Sequence, residues 1–132
     1  MKLIEEINLT NGLKLKIFDL SRPVAADTFK VEISFQMKID LKESYFADTQ
    51  DYAKVKNIMG DELTYENKRV RSFVYEKDQD SVREDLINTF KRNSLDYVAS
   101  VNFPQMLALS MLKDIKNNPY KYHPHIYSDS EE

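Results

Sequence analysis

The sequence predicts an α+β fold, a mostly antiparallel sheet with about three helices packed on one face. Three observations predict it. Residues 29–41, FKVEISFQMKIDL, place an apolar side chain at every odd position (Phe29, Val31, Ile33, Phe35, Met37, Ile39, Leu41) and a polar one at every even position. A period of two held this long means a strand with one buried and one wet face, the mark of an antiparallel sheet. Two shorter alternating runs precede it around Thr10-Asn11-Gly12, and helix-period stripes appear only later in the chain.

In order, Leu3, Ile7 and Leu9 line an opening strand, and Leu13, Leu15 and Ile17 line the next. A two-residue Asn-Gly turn would oppose Leu9 to Lys14, apolar against polar. A three-residue loop with Gly12 in the left-handed region opposes Leu9 to Leu13 and Ile7 to Leu15, so the hairpin is expected to carry that loop and its bulge. Ser21 to Asp27, with Pro23, reads as a connection. The strand 29–41 follows, about 43 Å long at roughly 3.3 Å per residue, with Lys30, Glu32, Lys38 and Asp40 expected on its wet side.

Asp48 caps a predicted helix from Thr49 to Met59, closed by Gly60. Residues 63–76, LTYENKRVRSFVYE, read as a fourth strand, rich in aromatic and β-branched residues. Ser81-Val82-Arg83-Glu84 has the form of a capping box opening a helix to Arg92, with Val82, Leu86 and Phe90 on one stripe. Leu95 to Val101 has the pattern of a short strand, and Pro104 suits the first turn of a helix to about Asn117. The whole predicts one domain over residues 1–119 and a flexible acidic tail over 120–132.

Composition narrows the chemistry. Residues number 132, net charge is −3, and there is no cysteine. Disulfides, thiolate metal sites and thiol nucleophiles are therefore excluded, and an acidic chain is an unfavourable design for a dedicated nucleic-acid binder. No window approaches the roughly 18 apolar residues of a membrane span, and the charged start MKLIEEINL is unlike a secretory signal, so a cytoplasmic location is expected. Both histidines flank Pro124, and His123 and His125 lack a nearby third ligand, so no metal or cofactor is expected. Neither a phosphate loop, a dinucleotide fingerprint nor a G-x-S-x-G elbow is present. The sequence carries no recognisable catalytic set.

Three sets of residues stand out. Tyr65, Arg69, Arg71, Phe73 and Tyr75 share one face of the fourth strand if that strand is unbroken. Arginines beside aromatics suit a protein surface or single-stranded nucleic acid, while their structural reading is pairing with neighbouring acids and packing on apolar side chains. Met106, Leu109, Met111, Leu112 and Ile115 belong to a helix apolar nearly all round, which needs cover on more than one side.

The third set rests on a resemblance. The order of hairpin, long strand, DTQDYAKV (48–55), REDLINTF (83–90) and VNFP (101–104) resembles dihydroneopterin aldolase and related tunnelling-fold enzymes. The resemblance implies a pterin-like ligand, with Tyr52 as the active-site tyrosine and Glu84 as the anchor. Where that family carries a lysine motif, this chain reads Asn102-Phe103-Pro104 without lysine.

Excess apolar surface and missing catalytic equipment together give the leading expectation, a non-enzymatic interaction module that self-associates, most simply as a homodimer, and binds another protein through the aromatic and arginine face.

Overall fold

The computed structural model describes residues 1–122. It is α+β, with a five-stranded antiparallel sheet and four helices. The described chain divides into two compact units, one of Met1–Lys38 with Thr64–Val101, the other of Ile39–Leu63 with the chain from Asn102 onward.

In the first unit, β1 (Lys2–Asn8) and β2 (Lys14–Asp19) form the expected hairpin. Ile7 faces Leu15, the Leu9 N–H donates to the Leu13 carbonyl at 2.8 Å, and Gly12 sits at φ 87°. Apolar pairing set this register, and only glycine holds that φ without cost. Asn11 explains the rest of the loop. Its Oδ1 accepts the Leu13 N–H at 3.1 Å. Its Nδ2 donates to the Val98 and Ser100 carbonyls, both at 2.9 Å, closing the end of a helix.

β4 (Thr28–Asp40) is the long strand, and its odd residues from Val31 to Met37 are buried. β2 pairs with it, Asp19 against Ile33. The short β3 (Arg22–Pro23) continues in the same register, Arg22 against Lys30. β3 therefore extends β2 along one edge of β4, and β5 (Glu62–Tyr75) takes the other. At the break, the Leu20 N–H reaches the Glu32 carbonyl at 2.8 Å and Ser21 Oγ accepts the Glu32 N–H at 3.2 Å. The stretch read as a plain connection thus keeps the ladder running.

The polar face of β4 is less wet than its alternation implies. Glu32 and Ser34 are both buried, because flanking strands on both sides screen a central position. Glu32 is compensated by Arg22 at 3.6 Å and Lys30 at 3.8 Å. Ser34 Oγ donates to Glu66 at 2.8 Å, and Gln36 Nε2 donates to both Ser34 Oγ and Glu66.

The apolar face is covered by α2 (Gln79–Val98). The rings of Phe35 and Phe90 stack with centroids 3.8 Å apart. The helix differs from expectation at both ends. A 3-10 turn at Glu76–Asp78 leads into it, so it starts ahead of Ser81, whose Oγ donates to the Asp78 carbonyl instead of capping. The capping box does not form. At the far end Val98 is fully buried in helical phase behind Leu86 and Phe90, so Leu95–Val98 is helix, not strand. Arg83 Nε lies 3.0 Å from Asp19 Oδ2, and Lys91 Nζ reaches Glu5 at 2.9 Å, tying the helix to β2 and β1.

The second unit is built on α1 (Thr49–Met59) and α3 (Phe103–Asn117). Asp48 accepts the Gln50 N–H at 2.8 Å, and Gly60, at φ 83°, donates its N–H to the Lys56 carbonyl, as expected of an N-cap and a glycine stop. Val55, Phe103, Ala108, Leu112 and Ile115 form its core with Ile39, Leu41 and Leu63. Lys116 pairs with Asp51 at 3.2 Å. α4 (Pro119–Tyr122) follows, with Asp114 accepting from Asn118, Lys121 and the Tyr122 hydroxyl. Of the expected tail, 120–122 belongs to α4, and the remainder, with both histidines, lies outside the described residues.

Candidate functional site

β5 is the candidate site. It spans 14 residues, and among the described residues no strand pairs with its outer edge. The Leu41 N–H donates to the Asp61 carbonyl at 2.9 Å, and the Glu76 N–H to the Asp27 carbonyl at 3.2 Å. Antiparallel bonds join directly opposite residues. Between those pairs the chain through β4 covers 14 steps, 41 to 27, and the chain through β5 covers 15, 61 to 76, so the β5 side holds one extra residue. Phe73 marks it, the only non-glycine residue with positive φ among those described, at 58°. This is a β-bulge.

The bulge rephases the strand. Before it, the odd residues Tyr65, Asn67 and Arg69 are half-buried between exposed even ones; after it, Val74 is buried while Phe73 and Tyr75 are 78% and 55% exposed. The five candidate residues accordingly separate. Tyr65 is half-buried, and burial raises its phenol above the ordinary value despite the opposing Arg69 charge. Arg69 holds its guanidinium 5.9 Å from the Phe90 ring centroid and donates from Nε to Asn67 Oδ1 at 2.8 Å. Arg71 meets Asp85 of α2 at 3.3 Å. The arginines are thus joined to the helix rather than to a neighbouring strand, and Phe73 and Tyr75 stand apart from them.

On the opposite face, Glu66 is braced by Ser34 and Gln36, with Lys68 at 4.0 Å. Sequence reasoning passed over Glu66, Asn67 and Lys68. The available signal was Ser34 and Gln36, uncharged polar residues in an otherwise charged row, which mark a buried partner.

The other candidates fall elsewhere. In α3, Leu112 and Ile115 are core, Met111 is half-buried, and only Met106 and Leu109 are exposed, at 46% and 42%. Tyr52 is in the second unit, its ring 6.0 Å from Phe46 and 5.7 Å from Lys56 Nζ. Glu84 is in the first unit, exposed on α2. Among the described residues no group of acidic or histidine side chains has the arrangement of a metal site, and no helix is long and apolar enough to cross a membrane. Comparison of the chain with protein families, characterised proteins and solved structures finds no match.

Proposed function

We propose that this chain is a non-catalytic interaction module that pairs with a second copy of itself through the outer edge of β5. The observation that supports it is that this edge is complementary to itself. A two-fold axis at Asn67 sets two antiparallel β5 strands side by side. Glu66 then faces the other copy's Lys68, Tyr65 its Arg69, and Thr64 its Val70, and the symmetry repeats every pair in reverse. The pairing also suits the backbone. Counting from Asp61, which bonds inward to Leu41, even-numbered residues ahead of the bulge turn their N–H and C=O groups outward. Glu66 and Lys68 therefore become a hydrogen-bonded pair of the new ladder.

Charged residues on an edge ordinarily keep strands apart. An edge designed only to repel would set like charges opposite in its own antiparallel copy, whereas here each meets its opposite. Each charge pair adds about 0.2–1 kcal/mol, with the backbone ladder beneath them. A nucleic-acid surface is less well supported, because Arg69 and Arg71 are already engaged with α2.

Charge exchange tests the reading. Glu66→Lys gives a copy with two facing lysines, and Lys68→Glu one with two facing glutamates, so each alone should be monomeric where the parent chain dimerises. An equimolar mixture should dimerise again, since every facing pair is then opposite in sign. Light scattering reads the result. A parent chain that stays at 15.5 kDa at tens of micromolar, or a mixture that stays monomeric, ends the proposal.

A further inference from the structure

A separate observation lies on the polar face of the first unit. Lys14, Lys16 and Phe18 of β2, Gln36 and Lys38 of β4, and Thr64 of β5 line a groove of about 280 Å³. The ladder opposes Lys16 to Gln36 and Phe18 to Ser34, and Lys14 and Lys38 line the groove beyond its last pair. None of the residues lining the groove is acidic. Lys14 has Glu6 only at 3.8 Å, with both side chains about half exposed. Lys16 makes no ion pair among the described residues. In a chain of net charge −3, this is a local concentration of positive charge.

Two neighbours add shape to the charge. Phe18, half-buried, offers an aromatic ring at the groove wall. Gln36 commits its amide nitrogen to Ser34 Oγ at 2.9 Å and to Glu66 at 3.0 Å, which fixes the side chain, and its carbonyl oxygen is an acceptor. Ammonium groups bind phosphate as point charges, an aromatic ring stacks a base, and a fixed carbonyl accepts from an exocyclic amine. The volume lies just below the range of ligand pockets, which begins at about 300 Å³.

We propose that this groove binds a nucleoside monophosphate, with its phosphate at Lys14 and Lys16 and its base against Phe18. The test is an amide-resonance titration of the full chain with AMP and GMP, and with adenosine and inorganic phosphate as the separated halves. A nucleotide should move the Lys16, Phe18, Gln36 and Lys38 amides and bind at least about tenfold tighter than either half. Lys16→Ala, at an exposed position, should weaken nucleotide binding about tenfold, the loss of one contact to a charged group. Phe18→Leu should weaken nucleotide but not phosphate. No movement with either nucleotide overturns the proposal. So does phosphate binding as tightly as nucleotide, which would leave an anion site only, and so does unchanged affinity in a folded Lys16→Ala chain.

Discussion

Asn11 does the work of two residues. Its side-chain oxygen shapes the hairpin turn and its amide nitrogen closes the end of α2 on the Val98 and Ser100 carbonyls. Replacement by alanine leaves those part-buried carbonyls without their donor and removes the turn's brace. The loss should be about 1–3 kcal/mol, read as a lower urea midpoint with an unchanged slope. Asp19 makes a different kind of link. Burial opposes its ionisation, but Ser21 and the Arg83 guanidinium outweigh that and hold its carboxyl below the usual aspartate range. A lowered folded value means the carboxylate adds stability above its unfolded pKa of about 3.9, and that the addition disappears as pH falls through the lower folded value. The stability difference between the parent chain and Asp19→Asn should therefore be constant from about pH 5 to pH 7 and shrink below about pH 4. A difference that grows on acidification would mean the carboxylate is not the stabilised form.

At the scale of elements, the bulge in β5 is the feature with the clearest energetic signature. A phenylalanine at φ 58° sits where an L side chain costs about 1–2 kcal/mol relative to the right-handed region, and its ring, 78% exposed, returns little of that by burial. Phe73→Gly should raise stability by roughly 0.5–1 kcal/mol, the relief being partly offset by glycine's larger unfolded-state entropy. A loss of stability would show that the ring packs more than its exposure indicates. The same bulge shows the limit of pattern reading. Hairpin, long strand, α1 and α3 were legible because apolar period and capping residues agree at each of them. Tyr65 through Tyr75 were not, because one inserted residue inverts the faces after Phe73 and nothing in RVRSFVY signals it. The start of α2 was misread for a related reason: Ser81 and Glu84 have capping-box spacing, but the 3-10 turn at Glu76–Asp78 feeds the helix from further upstream. The candidate edge was half visible. β5 could be read as a strand, but its place at the rim of the sheet depends on β3 continuing β2, a long-range pairing that leaves no local mark in Arg22-Pro23.

At the scale of the whole molecule, a two-fold axis makes one demand that no pairwise contact makes: the residue on the axis faces itself. In the proposed β5 pairing Asn67 meets it, being the uncharged residue between Glu66 and Lys68. A charge at that position would meet an identical charge in the second copy. Within one copy, however, Asn67 accepts from Arg69 Nε at 2.8 Å, and a carboxylate there would accept more strongly. Asn67→Asp should therefore leave thermal stability of the separate chain unchanged or slightly higher while opposing assembly. Two facing carboxylates about 5 Å apart repel by about 1–3 kcal/mol in a surface environment, so dimerisation should weaken about tenfold or more, with part of the loss recovered at about 1 M salt, where screening acts within roughly 3 Å. Sedimentation equilibrium at two salt concentrations, with thermal melts alongside, separates the two effects. Weakened association with intact melting places the axis at Asn67. Association unchanged by the substitution would move the interface to another surface, even if the chain still forms dimers.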